Sequence, residues 1–210
     1  MREVATPLGP AHVHDSEPDG AVRGTLVLGG GAGGSVDAAD LVAVAGAGCA
    51  VGWRVLRVEQ PWRVAGKRIA PAPARLDEGW TAVLATLADD GRLTGPLVLG
   101  GRSAGARVAC RTASSAGAAG VLALAFPLHP PGRPERTRLP ELLLPRVPRL
   151  VVQGSRDAFG LPPASDGVQV HEVRGADHAF AVRRRDGRDA ADVRDEVRRA
   201  VAGWLGHTLT

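Results

Sequence analysis

Leu97-Val98-Leu99-Gly100-Gly101-Arg102-Ser103-Ala104-Gly105-Ala106-Arg107-Val108-Ala109 decides how the chain folds. An apolar run of strand type ends in two glycines, a serine follows inside Gly-x-Ser-x-Gly, and small helix-compatible residues continue after it. Strand, sharp turn and helix in that order describe a nucleophile elbow. The turn strains Ser103 and lifts its hydroxyl to the top of the strand, where it is free to attack. Gly101 and Gly105 are expected because a β-carbon at either position would collide with the neighbouring strand or helix. The alternative is a plain strand-to-helix turn with an idle serine, since such pentapeptides also arise by chance in chains rich in Gly and Ala.

Outward from the elbow, apolar runs alternate with helical patterns. Gly24-Thr25-Leu26-Val27-Leu28, Trp53 to Val58, Gly120 to Phe126, Arg149 to Gly154 and Val168 to Val173 have the continuous apolar or β-branched character of strands in a parallel sheet. Helices are expected over 37–48, over 76–87 with Trp80, Val83, Leu84 and Leu87 on one face, and over 188–205. This rhythm predicts an α/β protein, a mostly parallel sheet with helices on both faces. Residues 1–20 carry prolines at Pro7, Pro10 and Pro18, which argue for edge strands. The 210 residues fit one domain, 1–210. Between Phe126 and Leu150 about two dozen proline-interrupted residues are too few for a helical cap, so the site is expected to be open.

Composition narrows the function. With 44% hydrophobic and 23% charged residues the chain is that of a soluble globular protein. Its net charge of +4 is modest, and with 3% aromatic residues there is little material to stack on bases, which argues against nucleic acid as a partner. Association with a polyanion through Arg183-Arg184-Arg185 is a third possibility, set against a solvated loop. No apolar leader follows Met1 and no run is long enough to span a membrane. Cys49 and Cys110 stand apart from each other and from any metal-binding pattern, so the expectation is a reducing, cytoplasmic compartment, with no metal and no cofactor. His12 and His14 alternate on one strand face but lack a third ligand nearby.

A serine hydroxyl needs a base, and the base needs a carboxylate to hold its tautomer. In this kind of sheet the order to seek is serine, acid, histidine. Ser103, Asp157 and His178 supply it, each on the loop after an expected strand and so at the same sheet edge. His129 precedes Asp157 and would give the wrong order, His171 lies within a strand, and Asp177 is the immediate neighbour of His178. Gly29-Gly30-Gly31-Ala32-Gly33-Gly34 follows a strand without the lysine of a phosphate-binding loop, and its better use is an oxyanion hole. The loop over 59–73 and the segment after Phe126 leave carboxyl ends of strands. Trp62 and Lys67 or Arg68 either touch substrate or pack and solvate that loop, and Trp62, Phe126, Leu128 and His129 are expected to border a shallow mouth.

These segments resemble the α/β-hydrolase superfamily, and within it small dienelactone-hydrolase-like bacterial proteins. Those are related to the hydrolase-like domain shared by a testis-expressed protein and an NSL-complex subunit. The resemblance rests on Gly100 to Ala109, Phe-Pro-Leu-His-Pro-Pro-Gly-Arg-Pro at 126–134, Val-Gln-Gly-Ser-Arg-Asp-Ala-Phe-Gly at 152–160 and Gly-Ala-Asp-His-Ala-Phe at 175–180. It implies Ser103 as nucleophile, Asp157 as orienting acid and His178 as base, with the N–H of Ala104 and one from the Gly30-Gly31-Ala32 turn as oxyanion donors. Relatives commonly carry His-Gly-Ala-Gly where this chain has Gly30-Gly31-Ala32-Gly33. The expected function is a serine hydrolase of small esters or thioesters, a monomer or homodimer acting on a small molecule. The alternative is a catalytically silent binding or scaffold module.

Overall fold

The computed structural model describes residues 1–33 and 35–208, so Gly34, in the glycine run, lies outside them. In chain order the elements are β1 (Arg2–Val4), β2 (Ala11–Ser16), β3 (Gly24–Gly29), α1 (Ala39–Ala50), β4 (Trp53–Glu59), α2 (Pro61–Val64), α3 (Pro73–Asp89), β5 (Leu97–Arg102), α4 (Ala104–Thr112), β6 (Gly120–Leu124), α5 (Leu139–Leu143), β7 (Arg149–Gly154), β8 (Val168–Val173) and α6 (Ala190–Thr208). The strands form one eight-stranded sheet in the order β1-β2-β4-β3-β5-β6-β7-β8. β3 to β8 run parallel, and β1 and β2 join one side antiparallel.

Every residue of β3, β6 and β7 is buried, as continuous apolar strands covered on both faces require. One face packs on α3, α4 and α5 through Trp80, Val83, Leu87, Val108 and Leu142. The other packs on α1 and α6 through Leu41, Val44, Val197, Val201 and Trp204. Each such large side chain taken from water contributes about 1.5–3 kcal/mol before the cost of ordering it.

Two local expectations needed correction, the loop over 59–73 and the end of β6, and one short helix was not foreseen. The 59–73 segment holds a one-turn helix, α2, because Pro61 at its first position has no N–H to leave unpaired and a fixed φ suited to a helix start. Residues 139–143 form α5, another single turn opened by a leucine and a proline, and no cap is built there. β6 stops at Leu124, since Ala125 turns to φ 46°.

Strand order decides where a site can form. From β3 the chain crosses to β4 on one side, then returns past β3 to β5 and proceeds the other way to β8. The carboxyl ends of β3 and β5 therefore flank the point where winding reverses, the place where open α/β sheets form a crevice. Gly29 and Gly101 are direct partners there.

Candidate active site

At that crevice the chain passes from β5 to α4 in one residue. Ser103 has φ 53° and ψ −108°, a backbone state that costs a non-glycine residue about 1–3 kcal/mol. Its N–H donates to the Leu124 carbonyl at 2.9 Å, which ties the turn to the end of β6. A β-carbon at Gly101 would lie 2.5 Å from the Gly29 oxygen, and one at Gly105 2.3 Å from the same atom, so both glycines are required by the backbone of β3. Ala125 and Phe180, the two other non-glycine residues with positive φ among the described residues, lie after β6 and beside His178. The strain is gathered at one edge of the sheet.

The turn aims Ser103 Oγ at His178 Nε2, 3.0 Å away, and His178 Nδ1 lies 2.8 Å from Asp157 Oδ2. With its proton on Nδ1 and donated to Asp157, the imidazole has Nε2 free to accept the serine proton. The Asp157 side chain has no exposed surface. It sits at the end of β7, where Gly154 allows the His178 loop to close against the strand: a β-carbon there would be 2.5 Å from the Ala176 oxygen. Asp157 Oδ1 accepts from the Phe159 N–H at 2.8 Å, and Oδ2 accepts from Gln153 Nε2 at 2.8 Å. The Phe159 ring lies on His178 with centroids 4.2 Å apart.

Gln153 and Phe159 escaped sequence reading. Gln153 had a signal, a lone amide in the fully buried run Arg149 to Gly154. Its Nε2 shares two hydrogens among three acceptors, Asp157, the Phe126 carbonyl and the Gly160 carbonyl. Asp177, the neighbouring carboxylate, caps its own loop instead, its Oδ1 accepting from the N–H groups of Ala179 and Ala181.

Beside the serine a narrow cleft of about 20 Å³, room for one water or one substrate oxygen, is lined by Gly30, Gly31, Ala104, Gln60, Trp62 and Arg63. Among the described residues, the N–H groups of Gly31, Ala32 and Ala104 donate to no other backbone carbonyl. Ala104 opens α4, where the first amides lack helical partners and the helix dipole favours negative charge. A β-carbon on Gly31 would stand 3.6 Å from Ser103 Cβ, so the glycine turn lies over the elbow.

The other expected mouth residues are dispersed. Phe126 is fully buried and belongs to the core, because the chain folds inward after Ala125; its ring borders no opening. Leu128 and His129 are half-buried on the following loop, and His129 Nδ1 lies 2.9 Å from its neighbour's carbonyl, that of Pro130. Lys67 and Arg68 are exposed. Cys110 is buried, and burial pushes its thiol up to about 12, which makes it inert at neutral pH. His12 lies near Glu3 and Glu59, and among the described residues no group of three or more candidate ligands could hold a metal. Arg183 and Arg185 are exposed. Among the described residues no helix is long and apolar enough to cross a membrane.

A sequence profile of the alpha/beta hydrolase domain matches residues 22–206. The chain belongs to that family. No curated protein matches it. Solved structures similar to this alpha/beta hydrolase chain include a serine hydrolase homologue from Coxiella burnetii, 20% identical over 97% of this chain and 96% of that one, with a TM-score of 0.73. Another is a serine hydrolase from Xanthomonas campestris described as lacking a lid, 22% identical over 99% and 95% of the two chains, also at 0.73. A third is an esterase domain from Rhodothermus marinus, 13% identical over 100% and 98%, at 0.73. At these identities the likeness is one of fold.

Proposed function

We propose that the chain is a serine hydrolase that cleaves small carboxylic esters or thioesters through an acyl-enzyme, within the dienelactone-hydrolase-like part of the family. The observation that carries this reading is the hydrogen-bonded line from Ser103 Oγ through His178 to the fully buried Asp157. Ser103 Oγ attacks the carbonyl carbon while its proton passes to His178 Nε2. Asp157 stabilises the imidazolium so formed. The oxyanion is met by the Ala104 N–H and by one from Gly31 or Ala32. Collapse of the tetrahedral intermediate breaks the bond to the alcohol or thiol, which leaves with the proton from Nε2. Water then repeats the sequence on the acyl-serine and releases the acid.

The narrow cleft beside the elbow and the absence of a cap favour short acyl groups, and of the four expected mouth residues Trp62 lines that cleft. The isolated thiols fit a cytoplasmic protein, acting on a small-molecule ester as a monomer or homodimer without a cofactor. A fluorophosphonate probe tests the reading. Covalent labelling of the wild type that disappears in Ser103→Ala is expected, whereas folded wild type that resists labelling would favour a catalytically silent scaffold.

A further inference from the structure

Behind the serine and histidine lies a second polar group. Arg102, the residue before Ser103, turns its side chain to the α1–α6 face of the sheet. Its Nε stands 3.0 Å from Asp40 Oδ2 in the first turn of α1, with the two side chains only 16% and 11% exposed. The two atoms are in ionic contact without the alignment of a hydrogen bond, and among the described residues neither has a hydrogen-bond partner. A directed bond goes elsewhere: Arg102 Nη2 donates to the backbone carbonyl of His178 at 3.0 Å. On its remaining side Arg102 Nη1 would stand 3.7 Å from a β-carbon on Gly31, so the guanidinium also underlies the glycine turn.

One cation thus contacts two separately coded parts of the site, the loop of the histidine and the start of α1, and borders a third, the turn over the serine. The loop needs such support, because Phe180 is held at φ 57° two residues after His178, and a strained residue persists only where its surroundings over-determine it. Asp177 and Arg156 brace the loop from within and from outside. Among these braces only Arg102 also reaches the elbow and the glycine turn. Asp40 keeps the cation in place. Burial pushes the Asp40 carboxyl up, and the Arg102 charge opposes that rise.

We infer that Arg102, clamped by Asp40, is a positioning residue that fixes the His178 loop and the glycine turn relative to Ser103. This rests on the hydrolase reading above. Since Arg102 reaches His178 only through a backbone carbonyl, its loss should misplace the imidazole without touching substrate. A misplacement of about 1 Å can cost on the order of 10²-fold in rate.

The geometry supplies its own control. A cleft of about 320 Å³, lined by Asp40, Arg102, Ala179, Phe180, Val193 and Val197, borders the guanidinium. In Arg102→Ala a small guanidinium ion can occupy the vacated position against Asp40. The experiment measures kcat and KM on p-nitrophenyl acetate, and the rate of fluorophosphonate labelling, for wild type, Arg102→Ala and Asp40→Asn, with thermal midpoints alongside. Arg102→Ala is expected to lose on the order of 10²-fold in kcat and in labelling rate with KM within about threefold. Millimolar ethylguanidinium should restore at least about a tenth of the lost rate, saturably, and leave the wild type unchanged. Asp40→Asn should lose about tenfold in kcat.

A folded Arg102→Ala enzyme with wild-type kcat overturns the inference, as does a loss that ethylguanidinium leaves untouched. If Arg102→Ala does not fold, the near-isosteric Asp40→Asn decides, and an unchanged kcat there overturns it. A wild type that neither turns over nor labels removes the hydrolase reading and this inference with it. A working wild type matched by its variants removes this inference alone.

Discussion

On one face of the sheet α3, α4 and α5 are laced by a small lattice of ion pairs, while on the other Arg102 at the end of β5 meets Asp40 at the start of α1 in a nearly buried pair. In the lattice Arg107 grips Glu141 through two nitrogens, Arg111 grips Asp77 the same way, and Arg111 also reaches Glu141. Every nitrogen so used points at a carboxylate, and the lattice joins helix to helix. In the pair of Arg102 with Asp40, the arginine gives its directed bond to the backbone of the histidine loop. The same two residue types hold the fold together on one face and shape the site on the other. What separates the roles is the acceptor at the end of the guanidinium.

That contrast can be broken at four points. The largest effect is expected at Asp157→Asn, where an amide no longer favours the tautomer with Nδ1–H, and kcat should fall on the order of 10⁴-fold with the thermal midpoint little changed. Near-normal turnover there would mean that another group orients His178. Next comes substrate size. Across p-nitrophenyl esters from acetate to palmitate, kcat/KM should be highest for acyl groups of about two to six carbons, since further methylenes find no cover and forfeit their roughly 0.8 kcal/mol each. A steady rise to the longest chains would reveal a covering element.

Gln153→Leu tests whether the acid's own support matters. It removes a bond to buried Asp157 and should cost roughly 1–3 kcal/mol of stability, measurable by urea titration, together with a loss in kcat. The smallest effect belongs to the lattice. Burial pushes the Glu141 carboxyl up, but its bonds to Arg107 and Arg111 outweigh this and hold it below the ordinary value near 4.5. A depressed carboxylate stabilises the fold above its unfolded-state pKa and loses that contribution as pH falls through the folded one. Glu141→Gln should therefore melt about 2–4 °C below wild type at pH 7. The gap should close below pH 4.5 in differential scanning calorimetry, with kcat unchanged throughout.

The sheet was legible because strands buried on both faces write themselves as continuous apolar runs, and each of the six parallel strands was placed within two residues of its observed ends. Ser103, Asp157 and His178 were legible for a related reason: loops after parallel strands must share one edge, so chain order alone brought the three together. What stayed hidden depends on directions that no spacing encodes. Arg102 and Asp40 are 62 positions apart and meet because β5 pairs with β3, from whose carboxyl end the chain runs into α1. Phe126 reads as a mouth residue from its place after β6, yet the turn at Ala125 sends its ring inward. The one-turn helices α2 and α5 are too short to show a period, and only their prolines marked them.

The central claim is that Ser103 becomes acylated during turnover. Intact-mass spectrometry on enzyme quenched in acid within the first turnovers of p-nitrophenyl acetate reads it directly. The account predicts a single added acetyl group, mapped by proteolysis to the peptide containing Ser103 and absent in Ser103→Ala. Turnover by the wild type with no acetyl on Ser103, or equal turnover by Ser103→Ala, would contradict it.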